Sequence, residues 1–140
     1  MTIADLQTLV NEMTDEVVEQ ATLKGYFNSV ISRINVTLGS TLPEFTSSNT
    51  QYIALNDNWL RLLFVTYASY AVKANDGSLN EADRFRSEFE SSFRLLEENR
   101  FNAIPTAYQG DNFGNIYYMK ADQGVNVGWF TTRNKGEDGF

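Results

Sequence analysis

The sequence predicts an all-α protein, a small helical bundle with a long antiparallel helical hairpin, followed by a C-terminal extended arm or β-hairpin. Apolar residues recur at helical spacing over most of residues 1–102, a region that holds three of the nine glycines. Capping residues precede several of these apolar runs. The other six glycines fall in residues 103–140, among β-forming residues. We therefore predict two units, a helical bundle domain at 1–102 and a Gly/aromatic-rich arm at 103–140.

The first helix is predicted over about residues 3–12. Thr2 can cap it, and Asp5 stands at the reciprocal position of a capping box. Five apolar residues share one face at helical spacing. They are Ile3, Leu6, Leu9, Val10 and Met13.

The second helix is predicted from about residue 15 to 38. Thr14 and Asp15 offer an N-terminus, where acidic residues favour the helix dipole. Gly25 predicts a kink or break in the middle, because glycine destabilises a helix interior by up to about 1 kcal/mol relative to alanine. Gly39 predicts the C-terminal end, and Pro43 prevents any continuation.

The third helix is predicted from about residue 50 to 75. Ser48 and Gln51 form a capping-box pattern at its start. The segment is apolar nearly all round, and such a helix is buried on most sides. In a domain of 140 residues we expect its second buried face to contact a neighbouring subunit.

A fourth helix is predicted over residues 79–100. The sequence at 75–77, Asn-Asp-Gly, is a turn signal, and Ser78 with Glu81 makes another capping box. Because this connection is short, the third and fourth helices are predicted to form an antiparallel hairpin. The apolar seam of the fourth helix is narrow. It consists of Leu79, Ala82, Phe85, Phe89, Phe93 and Leu96.

The helical pattern ends after Pro105. Residues 116–120 and 125–132 are rich in β-formers. They predict either a β-hairpin that packs on the bundle or an extended arm that docks onto a partner, where aromatic anchors dominate interface energetics. The candidate partner-binding residues of the arm are Tyr108, Phe113, Tyr117, Tyr118, Trp129, Phe130 and Phe140.

The composition excludes several kinds of chemistry. The chain has no cysteine and no histidine, so it has no disulfide, no thiolate metal site and no His-based triad. Its formal net charge of −7 argues against a nucleic-acid-binding footprint. No phosphate-binding glycine motif is present, and we predict no cofactor and no bound metal. No run approaches the roughly 18–20 apolar residues of a membrane span, and no targeting signal is visible, so we expect synthesis in the cytoplasm and no membrane partner.

Charged residues on the predicted helices have structural explanations. Two carboxylate clusters, at 15–19 and 81–83, could in principle supply an acid and a base. Both lie at predicted helix starts, where acids stabilise the dipole, so we predict that the protein is not an enzyme. Glu90 precedes Arg94 by four residues and predicts an ion pair along the fourth helix.

The order of these parts resembles that of the head-completion adaptor (head–tail connector) proteins of long-tailed bacteriophages. The shared layout is a short helix, a longer amphipathic helix, a polar loop, an aromatic helix, a charged helix and a C-terminal arm. The strongest local similarity is the hairpin, whose first helix reads Ala-Leu-Asn-Asp-Asn-Trp-Leu-Arg-Leu-Leu-Phe-Val-Thr-Tyr-Ala at 54–68. Its second helix reads Phe-Arg-Ser-Glu-Phe-Glu-Ser-Ser-Phe at 85–93.

The resemblance implies a structural part of the virion neck. Such adaptors form a homo-oligomeric ring, usually twelve-fold, beneath the portal protein, and a stopper or tail-completion protein binds the far side. DNA passes through the channel without specific binding. The arm at 103–140 would contact the portal. The ring and core contacts would come from the aromatic helix, through Trp59, Phe64, Tyr67 and Tyr70.

Two alternative functions stay open. One is a tail terminator or another ring component of the neck, which would share the symmetry but bind the tail tube. The other is a small helical regulator that binds a partner protein through the face at 59–72. That regulator would be a stable dimer and would form no ring.

Overall fold

A computed structural model of the chain describes residues 1–46, 51–111 and 113, and within them the protein is all-α. Helix α1 is Ile3–Thr14 and α2 is Gln20–Leu38. Helix α3 runs without interruption through three segments, Asp57–Trp59, Leu60–Val65 and Thr66–Asn75, of which the middle one is a π-helix. Helix α4 is Leu79–Glu98, α5 is the short Arg100–Ala103, and a 3₁₀ turn follows at Thr106–Tyr108.

Helix α3 is the centre of the bundle. It packs against α1, α2 and α4, and its contact with α4 is the most extensive between helices of the described chain. The apolar stripes of all four long helices meet in one core. Its largest fully buried side chains include Phe27, Phe64, Phe85 and Phe89.

The predicted capping box of α1 is confirmed, but the helix is two residues longer than predicted. The Thr2 hydroxyl accepts a hydrogen bond from the amide of Asp5 at 3.3 Å, and the Asp5 carboxylate accepts one from the amide of Thr2 at 3.0 Å. This backbone hydrogen bond lowers the pKa of Asp5. The helix ends at Thr14, whose hydroxyl donates to the Val10 carbonyl at 2.8 Å.

The predicted start of α2 at Thr14 and Asp15 is wrong. Asp15 instead ends α1 in a left-handed conformation, with φ 58°, and α2 begins at Gln20. The connection is held by side chains of α1, because the Val18 amide donates to the Asn11 side chain at 3.0 Å and Gln7 donates to the Val18 carbonyl at 2.7 Å. These side-chain hydrogen bonds satisfy the amide and carbonyl of Val18, which would otherwise bond to other backbone groups within a helix.

Helix α2 passes through Gly25 without the predicted break. Its core residues on both sides of Gly25, Leu23 and Phe27, are fully buried, so tertiary packing outweighs the low helix propensity of one glycine. The predicted end of the helix is confirmed. Gly39 adopts φ 74°, and its amide donates to the Asn35 carbonyl.

Helix α3 starts later than predicted, at Asp57 instead of residue 50. Its cap is Asn56, whose side chain accepts from the amide of Trp59 at 3.1 Å. Gln51 therefore lies before the helix and not in its first turn, and its side chain accepts from the amide and hydroxyl of Thr46, both at 3.0 Å. Ser48 lies outside the described residues.

The predicted turn between α3 and α4 is confirmed, with Gly77 at φ 82°. The second capping box is wrong, because the Ser78 side chain makes no capping hydrogen bond. Glu81 pairs instead with Lys73 on α3, at 3.4 Å between the charged atoms.

The chain after α5 returns to the bundle surface. Ile104 is buried in the core, and the Tyr108 carbonyl accepts from the amide of Thr41 at 2.8 Å. An isolated antiparallel bridge pairs Ser40 with Gln109. The predicted strands at 116–120 and 125–132 lie outside the described residues, and the division of the chain at 102/103 stays a prediction.

Candidate interaction surfaces

The two predicted carboxylate clusters are brought together by a lysine. The Lys73 ammonium lies 3.6 Å from the carboxylate of Glu16 and 3.4 Å from that of Glu81, so it links the α1–α2 connection to the start of α4. Its side chain is only 12% exposed. Within the described ranges no three acidic side chains converge in a way that could hold a metal ion. The geometry is that of an ion-pair network that ties helix ends together.

The four candidate ring residues occupy different environments. Phe64 is fully buried and packs edge-on against Phe27, with ring centroids 5.8 Å apart, so it is a core residue of its own chain. Trp59 is half-buried against the same core. Tyr67 and Tyr70 are also half-buried, with their ring centroids 5.8 Å apart. Of the four predicted ring residues, these three are therefore the ones with side-chain surface available for a contact with another protein.

Arg33 covers the aromatic seam of α4. Its guanidinium carbon lies 4.4 Å from the ring centroid of Phe93 and 5.2 Å from that of Phe89, which is cation–π geometry. It also donates two hydrogen bonds to the Glu90 carboxylate, at 2.9 and 2.7 Å. These hydrogen bonds raise the pKa of Arg33 and lower the pKa of Glu90. The predicted pairing of Glu90 with Arg94 is therefore replaced by a bidentate pair between helices.

Two of the predicted arm residues lie within the described chain, and both contact the bundle. Tyr108 and Phe113 are half-buried against the core. The ring of Phe113 packs edge-on against that of Phe101, with centroids 5.5 Å apart. The remaining arm residues lie outside the described ranges. They are Tyr117, Tyr118, Trp129, Phe130 and Phe140.

Two apolar side chains that sequence reasoning did not identify as surface residues are largely exposed. Val17, in the α1–α2 connection, is 90% exposed, and Phe101, on α5, is 60% exposed. Val17 lies before the start of α2 at Gln20, so it belongs to no helix face, and its side chain is directed to solvent. Leu62, on α3, is 40% exposed and lines a groove of about 370 Å³ between α3 and α4.

Two further grooves carry opposite charge. One, of about 470 Å³, lies at the end of α1 and in the following turn and is lined by Glu12, Asp15 and Glu16 beside Val17. The other, of about 440 Å³, lies along α4. It is lined by Arg86, Ser87, Glu90, Ser91 and Arg94.

The helices of the described chain include no candidate membrane span. Each helix there is either too short or too polar to cross a bilayer. Comparison with known proteins finds no match for this chain among family models, curated proteins or solved structures.

Proposed function

We propose that this chain is a structural adaptor of the phage neck. It forms a ring under the portal, links the DNA-filled head to the stopper or tail, and docks its C-terminal arm on the portal. In this proposal the protein performs no catalysis and resides in the virion. The proposal takes its outline from the layout of the sequence, and four features of the molecule support it.

The observation that carries the proposal is the fixed root of the arm. Residues 103–111 are held on the bundle by the burial of Ile104 and by the bonds between the 40–41 loop and the 108–109 segment. Gln109 reinforces the attachment, since its side-chain nitrogen donates to the Ile104 carbonyl at 2.9 Å. Phe113, just before the remainder of the arm at 114–140, is likewise placed by its contact with Phe101.

The reach and composition of that segment suit a docking arm. Its 27 residues span at most roughly 90 Å when fully extended. Five aromatic residues are distributed along it, and aromatic side chains are the strongest anchors in protein interfaces. The arm thus combines a fixed origin with residues able to fill pockets on a portal.

Charge and helix arrangement agree with the rest of the proposal. The net charge of −7 suits a ring through which DNA must pass, since like charges do not bind. The short connection at 76–78 and the extensive contact between α3 and α4 fit the helical hairpin of the adaptor layout.

The regulator hypothesis is less well supported. It requires the face at 59–72 to bind another protein, yet most of the apolar residues there are buried inside this chain. The buried ones are Leu60, Leu63, Phe64, Val65, Ala68 and Val72. The hypothesis of a different neck ring shares the same architecture and becomes one outcome of the test.

The test is imaging of the full chain mixed with the portal protein encoded in the same genome. Electron microscopy should show a ring of added density on one face of the portal. A variant with Tyr117, Tyr118, Trp129 and Phe130 all changed to serine should lose this density while its circular dichroism stays helical. Unimpaired binding of that variant would contradict the arm assignment. A ring on tail tubes and not on portals would identify the other neck component.

A further inference from the structure

We propose that neighbouring copies of this chain contact each other head to tail, with Val17 of one copy seated in the groove beside Leu62 of the next. The donor surface is named the acidic knob and consists of Val17 with Glu12, Asp15 and Glu16. The acceptor is named the α3–α4 groove and is lined by Leu62, Thr66, Ser87, Glu88, Ser91 and Ser92. Arg86 and Arg94 line the adjoining groove along α4. The inference rests on the proposed ring and identifies its subunit interface.

The acidic knob carries one exposed apolar side chain, that of Val17, on a connection that hydrogen bonds hold in place. Val17 is 90% exposed, although the residue after it, Val18, is buried. The Val18 amide and carbonyl are both hydrogen-bonded to side chains of α1, at 3.0 and 2.7 Å. A contact made by a rigid turn loses little conformational entropy on binding, which favours its use in an interface.

The α3–α4 groove offers a matching apolar site. Leu62 is 40% exposed at its floor, in the π-helical part of α3. The Thr66 hydroxyl, which also lines the groove, already donates to the carbonyls of Leu62 and Leu63. Burial of the groove would therefore leave that hydroxyl satisfied, and the exposed Leu62 would gain an apolar neighbour.

Charge complementarity selects the second copy as the occupant. The basic groove along α4 shares Ser87 and Ser91 with the α3–α4 groove, so the two grooves adjoin and the arginines of one lie next to the other. Glu90, between Arg86 and Arg94, is neutralised by the bidentate pair with Arg33. Neither Arg86 nor Arg94 forms an ion pair or hydrogen bond within the described chain.

The acidic knob supplies the opposite charge. Three carboxylates line the groove beside Val17, and among the described residues only that of Glu16 forms an ion pair with a lysine. Glu88 is the one carboxylate lining the α3–α4 groove, so two arginines outweigh it. The acidic knob is therefore attracted to the arginines of a second copy and repelled by that copy's own acidic knob, which favours the head-to-tail contact.

The two surfaces lie on different parts of the fold. The acidic knob belongs to α1 and the connection after it, whereas the groove belongs to α3 and α4. Helices α1 and α4 both pack on α3 but form no extensive contact with each other. A contact between such unlike surfaces is heterologous, and heterologous contacts generate rings when the rotation closes.

The test uses two full-length variants that each disable one surface. Val17→Arg puts a positive charge on the acidic knob, where it would face the two arginines, and Leu62→Glu puts a carboxylate in the groove, where it would repel the acidic knob. The matched control is Val36→Arg, because Val36 is 67% exposed on α2 and belongs to neither surface. Sedimentation at millimolar protein and low salt should show self-association of the wild type and of Val36→Arg. Each disabling variant should associate at least about tenfold more weakly.

Mixing the two variants isolates the head-to-tail geometry. The groove of Val17→Arg and the acidic knob of Leu62→Glu are both intact, so an equimolar mixture should form a 1:1 complex and nothing larger. A wild type that stays monomeric, or a mixture that does not associate, overturns the proposal. A double variant, Arg86→Gln with Arg94→Gln, changes only exposed residues. It should weaken self-association about as much as high salt weakens that of the wild type, because both remove the same charge attraction.

The outcome is distinguishable from failure of the adaptor function. If Val17→Arg forms the same ring on portals as the wild type, the interface is wrong and the adaptor function stands. If the wild type associates head to tail as described but does not bind portals, the interface stands and the adaptor function is wrong.

Discussion

Arg33 on α2 and Glu90 on α4 form a bidentate ion pair over the aromatic seam of the bundle. The two nitrogen–oxygen distances are 2.9 and 2.7 Å, and the guanidinium lies 4.4 Å from the ring centroid of Phe93. The arrangement joins two helices that are far apart in the sequence. It also shields Phe89 and Phe93 from one side and neutralises the carboxylate between Arg86 and Arg94.

The first prediction concerns the stability of this pair. Glu90→Gln should lower the free energy of unfolding by roughly 0.5–1 kcal/mol at pH 7, because both side chains are more than 40% exposed and solvent screens their attraction. Arg33→Lys should cost a similar amount, since lysine makes one hydrogen bond where arginine makes two. Urea denaturation measures both. No loss in either variant would show that the pair contributes nothing.

The second prediction is the pH dependence of the same pair. Folding lowers the pKa of Glu90, so the wild type gains stability above the ordinary glutamate pKa of about 4.3. This gain should vanish as the pH falls through the lower folded-state pKa. The difference in unfolding free energy between wild type and Glu90→Gln should therefore be present at pH 7 and absent near pH 2–3. A difference that does not change with pH would contradict the assignment.

The third prediction concerns Asn35, which fastens the loop after α2. Its side chain accepts from the Leu42 amide at 2.9 Å and from the Ser40 hydroxyl at 2.8 Å, and it donates to the Leu42 carbonyl at 2.9 Å. Asn35→Ala should cost roughly 2 kcal/mol, because it leaves partly buried groups without partners. Asn35→Asp keeps the acceptors and should cost less. Equal losses in the two variants would show that the acceptor bonds do not matter.

The fourth prediction concerns the close approach of Gly110 to the loop at Gly39. A Cβ at residue 110 would lie 2.6 Å from the Gly39 carbonyl oxygen, so Gly110→Ala should push the 106–111 segment away from the bundle. Hydrogen exchange at the Thr41 amide, which donates to the Tyr108 carbonyl, should accelerate by at least about tenfold. Unchanged protection of that amide would contradict the contact.

The matched control is Gly25→Ala, and it is a prediction in itself. A Cβ at residue 25 meets nothing within 4 Å, and the residue lies inside α2. This substitution should raise the free energy of unfolding by about 0.5–1 kcal/mol and leave exchange at Thr41 unchanged. Thermal or urea denaturation measures the gain. A loss of stability would show that α2 depends on the flexibility of this glycine.

Much of the helical architecture could be predicted from local signals. The capping box of Thr2 and Asp5, the left-handed stop at Gly39 and the turn at 75–77 all depend on residues within four positions of each other. The apolar stripes of α2 and α4 place their phenylalanines in the core as expected. Such features are decided by short-range chemistry, which the sequence displays directly.

The errors arose where a distant residue competed for the same group. Val18 is bonded by Asn11 and Gln7, so α2 begins five residues late. Glu81 pairs with Lys73 on α3, and the Ser78 side chain makes no capping hydrogen bond, so the capping box predicted at the start of α4 is absent. Glu90 is bound by Arg33, 57 positions away, and not by Arg94.

The sequence by itself determined that the chain is helical in its first part, acidic, and without cysteine or histidine chemistry. Tertiary structure decided which side chains the surface presents. Val17 points to solvent because α2 starts beyond it, and Phe64 is withdrawn into the core because α3 is covered on several sides. The physical reason is that helical periodicity fixes which residues share a face, whereas the packing of one helix on another decides which face is left for a partner.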